Sequence, residues 1–171
     1  LDFKSKIFNE VYNIIKYFHN NGIILCICSK NNYSDVLDFF NKDKIKDNLK
    51  LDYFVSKKIN WKNKHENLIE ISQELNLGLD SFVFIDDSDF EIDLINLKLP
   101  QVLTIKVPDN LELYPQILLD IIPYFTNITK TTEDKKRNTY YKQQIARNTS
   151  KNEFQNIKDY LKSLKITVTK Y

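Results

Sequence analysis

Two short apolar runs, each stopping abruptly on polar residues, constrain this chain most. Ile23 to Cys28 is unbroken and leads into Ser29, Lys30, Asn31 and Asn32. Ser81 to Ile85 leads straight into Asp86 and Asp87. Runs of this length bounded by turn-forming residues read as strands buried on both faces, the habit of parallel sheets.

Helical stripes separate them. Ile7, Val11, Ile14, Ile15 and Phe18 recur at helical spacing within Lys4 to Asn20, and Asn20-Asn21-Gly22 supplies the stop. Further helices are expected over Tyr33 to Asn41, Lys64 to Leu75, Phe90 to Leu97 and Leu113 to Ile122. Strands are expected over Leu51 to Ser56 and Val102 to Val107. Alternating helix and strand demands right-handed crossovers and helices on both faces of a parallel sheet. After Thr131 the pattern becomes long polar helices, Thr132 to Arg147 and Lys151 to Leu164, then a strand from Ile166 to Thr169.

Charge divides the chain at the same place. Residues 1–128 carry 14 basic and 19 acidic side chains, and residues 129–171 carry 11 and 4. The expected organisation is a core over 1–128 and a basic helical arm over 129–171 that leads to a further domain. The arm reads either as a solvated helix or as a docking surface for an acidic partner. The apolar runs are too short to span a bilayer, and no signal segment opens the chain. Cys26 and Cys28 are expected on opposite faces of a strand, unpaired and reduced, which points to the cytoplasm. Position 1 is Leu, so it reads as a processed end or a cut. There is no zinc set, glycine-rich nucleotide loop or nucleic-acid pattern. His19 lies at a helix end that welcomes a cation, and His65 on a solvated helix face.

In open parallel sheets, ligands bind beyond the carboxyl ends of the strands. Two adjacent carboxylates there, Asp86 and Asp87, repel each other and call for a cation or strong donors. Mg²⁺ suits them, since it takes a few carboxylates and keeps water and phosphate oxygens. Alternatively, Asp87 or Ser88 simply caps the next helix. Ser29 can donate to a phosphate oxygen, with Lys30 and Asn31 beside it, or merely form a turn. Lys64 opens a helix, where a positive charge is unfavourable unless an anion is near.

An apolar strand with Ser29, then Lys64, then a strand ending in Asp86-Asp87 resembles the haloacid dehalogenase (HAD) superfamily, in its second, third and fourth motifs. Cys28-Ser29-Lys30-Asn31-Asn32, Ile59-Asn60-Trp61-Lys62-Asn63-Lys64 and the stretch from Leu75 through Asp87 are similar to the FkbH-like branch. So are Phe90-Glu91, Leu99-Pro100 and Thr132-Glu133-Asp134 with Arg137 and Tyr140. The resemblance implies a Rossmann-like, three-layer α/β/α parallel sheet. It also implies a Mg²⁺-dependent phosphatase or glyceryl transferase that loads a three-carbon unit from bisphosphoglycerate onto an acyl carrier protein. Ser29 and Lys64 would be catalytic, Lys30 and Asn31 would bind substrate, and Asp86 and Asp87 would hold the metal.

Two features depart from the family. Its first motif, Asp-x-Asp-x-Thr, supplies the nucleophile at the end of the central strand, and no such motif occurs in these 171 residues. A fragment lacking its central strand and inactive alone is therefore expected. Ile92 stands where the family often has Arg. Cys28 could act as an acyl acceptor or as an inert buried thiol. A different class of function, a non-catalytic module that binds a carrier protein or other partner, fits the same residues.

Overall fold

The computed structural model describes residues 3–42, 45, 47–125 and 134–153. Helix α1 (Phe3–Asn20) buries Ile7, Val11 and Phe18 along one stripe. It stops where Gly22 turns to φ 79°. The Ile23 and Gly22 amides then donate back to the Phe18 and His19 carbonyls at 3.1 and 3.2 Å. This double closure needs a left-handed residue, which glycine supplies without a Cβ clash.

Strand β1 (Leu25–Ser29) follows, then α2 (Tyr33–Asn41), β2 (Phe54–Ile59), α3 (Lys64–Leu75) and β3 (Val83–Asp86). Helix α4 (Asp89–Lys98), β4 (Leu103–Lys106), α5 (Tyr114–Asp120) and α6 (Asp134–Glu153) complete the described elements. The strand expected from Leu51 begins at Phe54, because Leu51–Tyr53 close a 3₁₀ turn first. The helix expected over Leu113 to Ile122 is a short α5 framed by 3₁₀ turns at Leu111–Leu113 and Ile122–Phe125. The second polar helix and the strand from Ile166 lie outside the described residues.

The strands form two separate parallel pairs. β1 runs alongside β2 with Cys26 opposite Ser56 and Ser29 opposite Ile59. β3 runs alongside β4 with Val83 opposite Leu103 and Asp86 opposite Lys106. β1 and β3 are not hydrogen-bonded to each other.

Two apolar clusters cover the strands. Val11, Phe18, Leu118 and Ile121, from α1 and from α5 and the turn after it, pack against Leu25, Val83, Ile85 and Ile105. Leu68, Ile71, Leu75 and Ile95, from α3 and α4, join Val55 and Phe84 and pack against Cys26 and Cys28. Both cysteines therefore share one face, contrary to expectation. Strand side chains alternate with period two, so residues 26 and 28 point the same way. They remain free thiols.

Helix α6 packs on α3 and β2, and its Tyr141 and Ile145 sit against the second cluster. Lys142 pairs with Asp52 Oδ1 at 2.6 Å. Asn138 Nδ2 donates to the His19 carbonyl at 3.2 Å. The basic segment is thus part of the core's packing over these residues, as well as a charged helix. No helix is long and apolar enough to cross a membrane among the described residues.

His19 stacks on Tyr53 with ring centroids 4.4 Å apart. Its pKa is pushed down by burial first and by the Lys142 charge second. The expected welcome for a cation at the helix end is overridden by these two effects. A histidine held below its ordinary pKa favours the neutral form in the fold. Its contribution is therefore present above about pH 6.5 and lost as pH falls below it. The melting temperature should drop more between pH 7.5 and 5.5 in the native chain than in His19→Gln. Equal drops would remove His19 as the cause.

Candidate functional site

The carboxyl ends of β1 and β3 both stop on polar residues, and α3 and α4 start beside them. Ser29 is the last residue of β1. Its carbonyl accepts from Asn60 N at 3.1 Å, which carries the pairing of β1 and β2 one step further. Its hydroxyl makes no hydrogen bond among the described residues. Lys64 is the first residue of α3, and Asp86 the last of β3.

The lysine reaches across to the carboxylate: Lys64 Nζ donates to Asp86 Oδ2. This ion pair links one strand pair to the other, and its side chains are only 12% and 6% exposed. The Lys64 charge, unfavourable at a helix start, is thereby compensated. Asp86 Oδ1 accepts from Ser88 N at 3.0 Å, so both carboxylate oxygens are engaged.

A second ion pair lies beside the first. Lys30, just past β1, meets Glu91 Oε1 at 2.8 Å. Glu91 is buried, and its Oε2 has no partner. A Ser-x-x-Glu segment ordinarily closes as a capping box, with the Glu carboxylate returning to the Ser amide. Here Ser88 caps α4 by accepting from Glu91 N at 3.4 Å. Its own amide goes to Asp86 instead, which leaves the Glu91 carboxylate for Lys30. Sequence reasoning did not assign Glu91 a role.

Cys28 lies among these charges. Burial pushes its thiol up to about 12, with Lys64 opposing and Asp86 and Glu91 adding to the rise. Its Sγ lies 3.7 Å from the Lys64 carbonyl oxygen. A thiol so protonated near neutral pH is a poor acyl acceptor.

Asp87 and Asn31 are placed differently. Asp87 is exposed, and its charge acts on Tyr114 of α5, whose hydroxyl is raised mainly by burial. Adjacent strand-end residues point to opposite faces, so Asp87 diverges from Asp86. Asn31 Oδ1 accepts from Asn32 N at 2.8 Å, a local turn. His65 is not on a solvated face, since its side chain is 17% exposed and Nδ1 is buried without a partner.

Between the two strand pairs lies a cavity of about 760 Å³. Leu25 and Cys28 of β1 form one wall, and Val83 and Ile85 of β3 the other. Phe18 of α1 closes one side and Ile71 of α3 the opposite side. The ion pair of Lys64 and Asp86 joins the carboxyl ends of the strand pairs that bound this slot.

The donors partly fit a hard divalent cation. Asp86 and the unpartnered Glu91 Oε2 are carboxylate oxygens of the kind Mg²⁺ accepts, and Mg²⁺ needs only one or two from protein. No set of three His, Cys, Asp or Glu side chains suited to a metal occurs among the described residues.

No protein-family model matches the chain, and no curated protein does. A solved structure that matches is the N-terminal part of the protein BF1531 from Bacteroides fragilis, containing a phosphatase domain and complexed with Mg. The two are 32% identical with a TM-score of 0.60, over 73% of this chain and 31% of the other. The chain thus spans about a third of that structure's length. It is a mixed α/β protein with parallel strands, similar in fold over that stretch to a structure that contains a phosphatase domain.

Proposed function

We propose that these residues are the phosphate-side and cation-side half of a HAD-type, Mg²⁺-dependent phosphatase site. The observation that carries this reading is the buried Lys64–Asp86 pair, set at the carboxyl ends of parallel strands on either side of an apolar slot. The likeness to a phosphatase domain complexed with Mg supports it.

Each residue has a chemical part in this reading. The Ser29 hydroxyl donates to a phosphoryl oxygen, and Lys64 turns its ammonium from Asp86 to the same group as charge develops. Asp86 would hold Mg²⁺, with Glu91 Oε2 within the same cluster. The ion, when bound, neutralises charge on the phosphoryl oxygens. Lys30, fixed by Glu91, adds a further positive charge beside the phosphate.

The two strand pairs are two parts of one Rossmann-like sheet, with α1 and α5 layered on one face and α3, α4 and α6 on the other. A single strand parallel to β1 and β3 fills the slot between them. Such a strand ends where Lys64 and Asp86 meet, and brings the nucleophile these residues lack. The finer reading is an FkbH-like enzyme that passes a glyceryl unit to an acyl carrier protein, in the cytoplasm. It rests on the sequence blocks around Ser29 and Lys64.

The 171 residues alone should show no turnover of an aryl phosphate with Mg²⁺. Robust, metal-dependent hydrolysis by them would contradict the claim that the nucleophile lies elsewhere.

A further inference from the structure

Each of the three strands bordering the site is followed by an exposed aromatic residue. Tyr33 opens α2 after β1, Trp61 follows β2, and Phe90 lies in the first turn of α4 after β3. They are 50%, 69% and 67% exposed. An isolated exposed aromatic needs no explanation. Three at one edge of the strands, around buried charges, form a rim.

Trp61 is the member of this rim that the fold holds most firmly. Its indole N–H donates to Asn32 Oδ1 at 3.2 Å, which ties the loop after β2 to the loop after β1. The residue before it is clamped. Asn60 and Asn67 exchange amide hydrogen bonds at 3.1 and 3.0 Å, and Asn67 is fully buried. Asn60 Oδ1 also accepts from Lys62 N at 3.0 Å. The fold therefore fixes this loop on both sides of an indole whose faces it leaves in water. Burial of so large a ring would ordinarily be favourable.

We propose that Trp61 is a specificity-determining residue, which stacks on the planar or apolar organic part of a phosphorylated substrate. This rests on the phosphate reading of Ser29 and Lys64 and stands against the finer glyceryl reading, whose polar three-carbon unit offers an indole no planar or apolar face. Lys64 lies three residues further on and binds the anionic end. The indole is the neighbouring surface for the rest of the molecule. A rigid aromatic contributes contact area at little cost in conformational entropy.

Trp61 is the single tryptophan of the chain, so its fluorescence reports on this one position. Phenyl phosphate and inorganic phosphate should be titrated separately, with MgCl₂ present, by fluorescence and by calorimetry. Phenyl phosphate is expected to quench or shift the emission and to bind on the order of tenfold more tightly than inorganic phosphate. In Trp61→Ala, calorimetry should show that advantage gone while inorganic phosphate binds as before. Inorganic phosphate bound without any preference for phenyl phosphate, or a preference that survives in Trp61→Ala, would sink the stacking role and spare the phosphate reading. Failure of both compounds to bind would sink the two together.

Discussion

Replacing Lys64 with Met should destabilise the protein by about 3–5 kcal/mol, the range for removing one partner of a buried ion pair. The Asp86 carboxylate would stay buried, with its Oδ2 oxygen unpaired. The effect comes less from the attraction lost than from the uncompensated charge left behind. Two further variants identify the mechanism. Asp86→Asn alone strands the ammonium instead, and should also be destabilising. The double variant Lys64→Met with Asp86→Asn should recover much of the loss, since neither charge then remains buried. Urea denaturation of the three proteins measures this. Additive losses in the double variant would mean that the two side chains do not interact in solution.

Filling the slot should have a comparable effect of opposite sign. Helix α1 runs back from the carboxyl side of the strands, and packs against α5 and the turn at Leu111–Leu113 just beyond β4. A strand joined ahead of α1 and parallel to β1 would end on that side, as a right-handed crossover requires. Burying its apolar side chains contributes roughly 1.5–3 kcal/mol each, against about 1–2 kcal/mol per residue for ordering the backbone. A net gain of about 3 kcal/mol corresponds to a rise in melting temperature of roughly 6–12 °C for a chain of this size.

Hydrogen exchange locates the gain. In the 171 residues alone, amides of β1 and β3 that face the slot should exchange quickly, and those facing β2 and β4 slowly. With an apolar strand fused ahead of Leu1, both sets should be protected. Uniform protection of β1 and β3 without the added strand would mean that the slot is already closed. Unchanged exchange after fusion would mean that it does not take a strand.

The helices were largely legible because their signals are local. Tyr33 to Asn41 and Lys64 to Leu75 match to the residue, since their apolar residues recur at helical spacing. β2 was displaced because Leu51 and Tyr53 are apolar enough to read as strand, while a 3₁₀ turn occupies them. The strand ends at Ser29 and Asp86 were legible from the polar residues that stop each apolar run.

Partners across the fold were not legible. The sequence offers Lys64 as a cation for phosphate, but not as the counterion of Asp86, because the two residues come from different strand pairs. Glu91 went unassigned because its counterion, Lys30, comes from the loop after β1, far away along the chain. The placement of His65 depends on what packs over α3, which its own helix does not encode. The gap between the two strand pairs was expected only through the family resemblance, which puts a central strand there; no single segment of the chain records the slot.

Whether Asp86 holds Mg²⁺ beside a phosphoryl group is decided by phosphate binding with and without the ion, measured by calorimetry on the native chain and on Asp86→Asn. Mg²⁺ should strengthen phosphate binding to the native chain at least tenfold, and Asp86→Asn, destabilised but measured at a temperature where circular dichroism shows it folded, should lose this enhancement. Phosphate binding that ignores Mg²⁺, or an enhancement that persists without the Asp86 carboxylate, would contradict that role of Asp86.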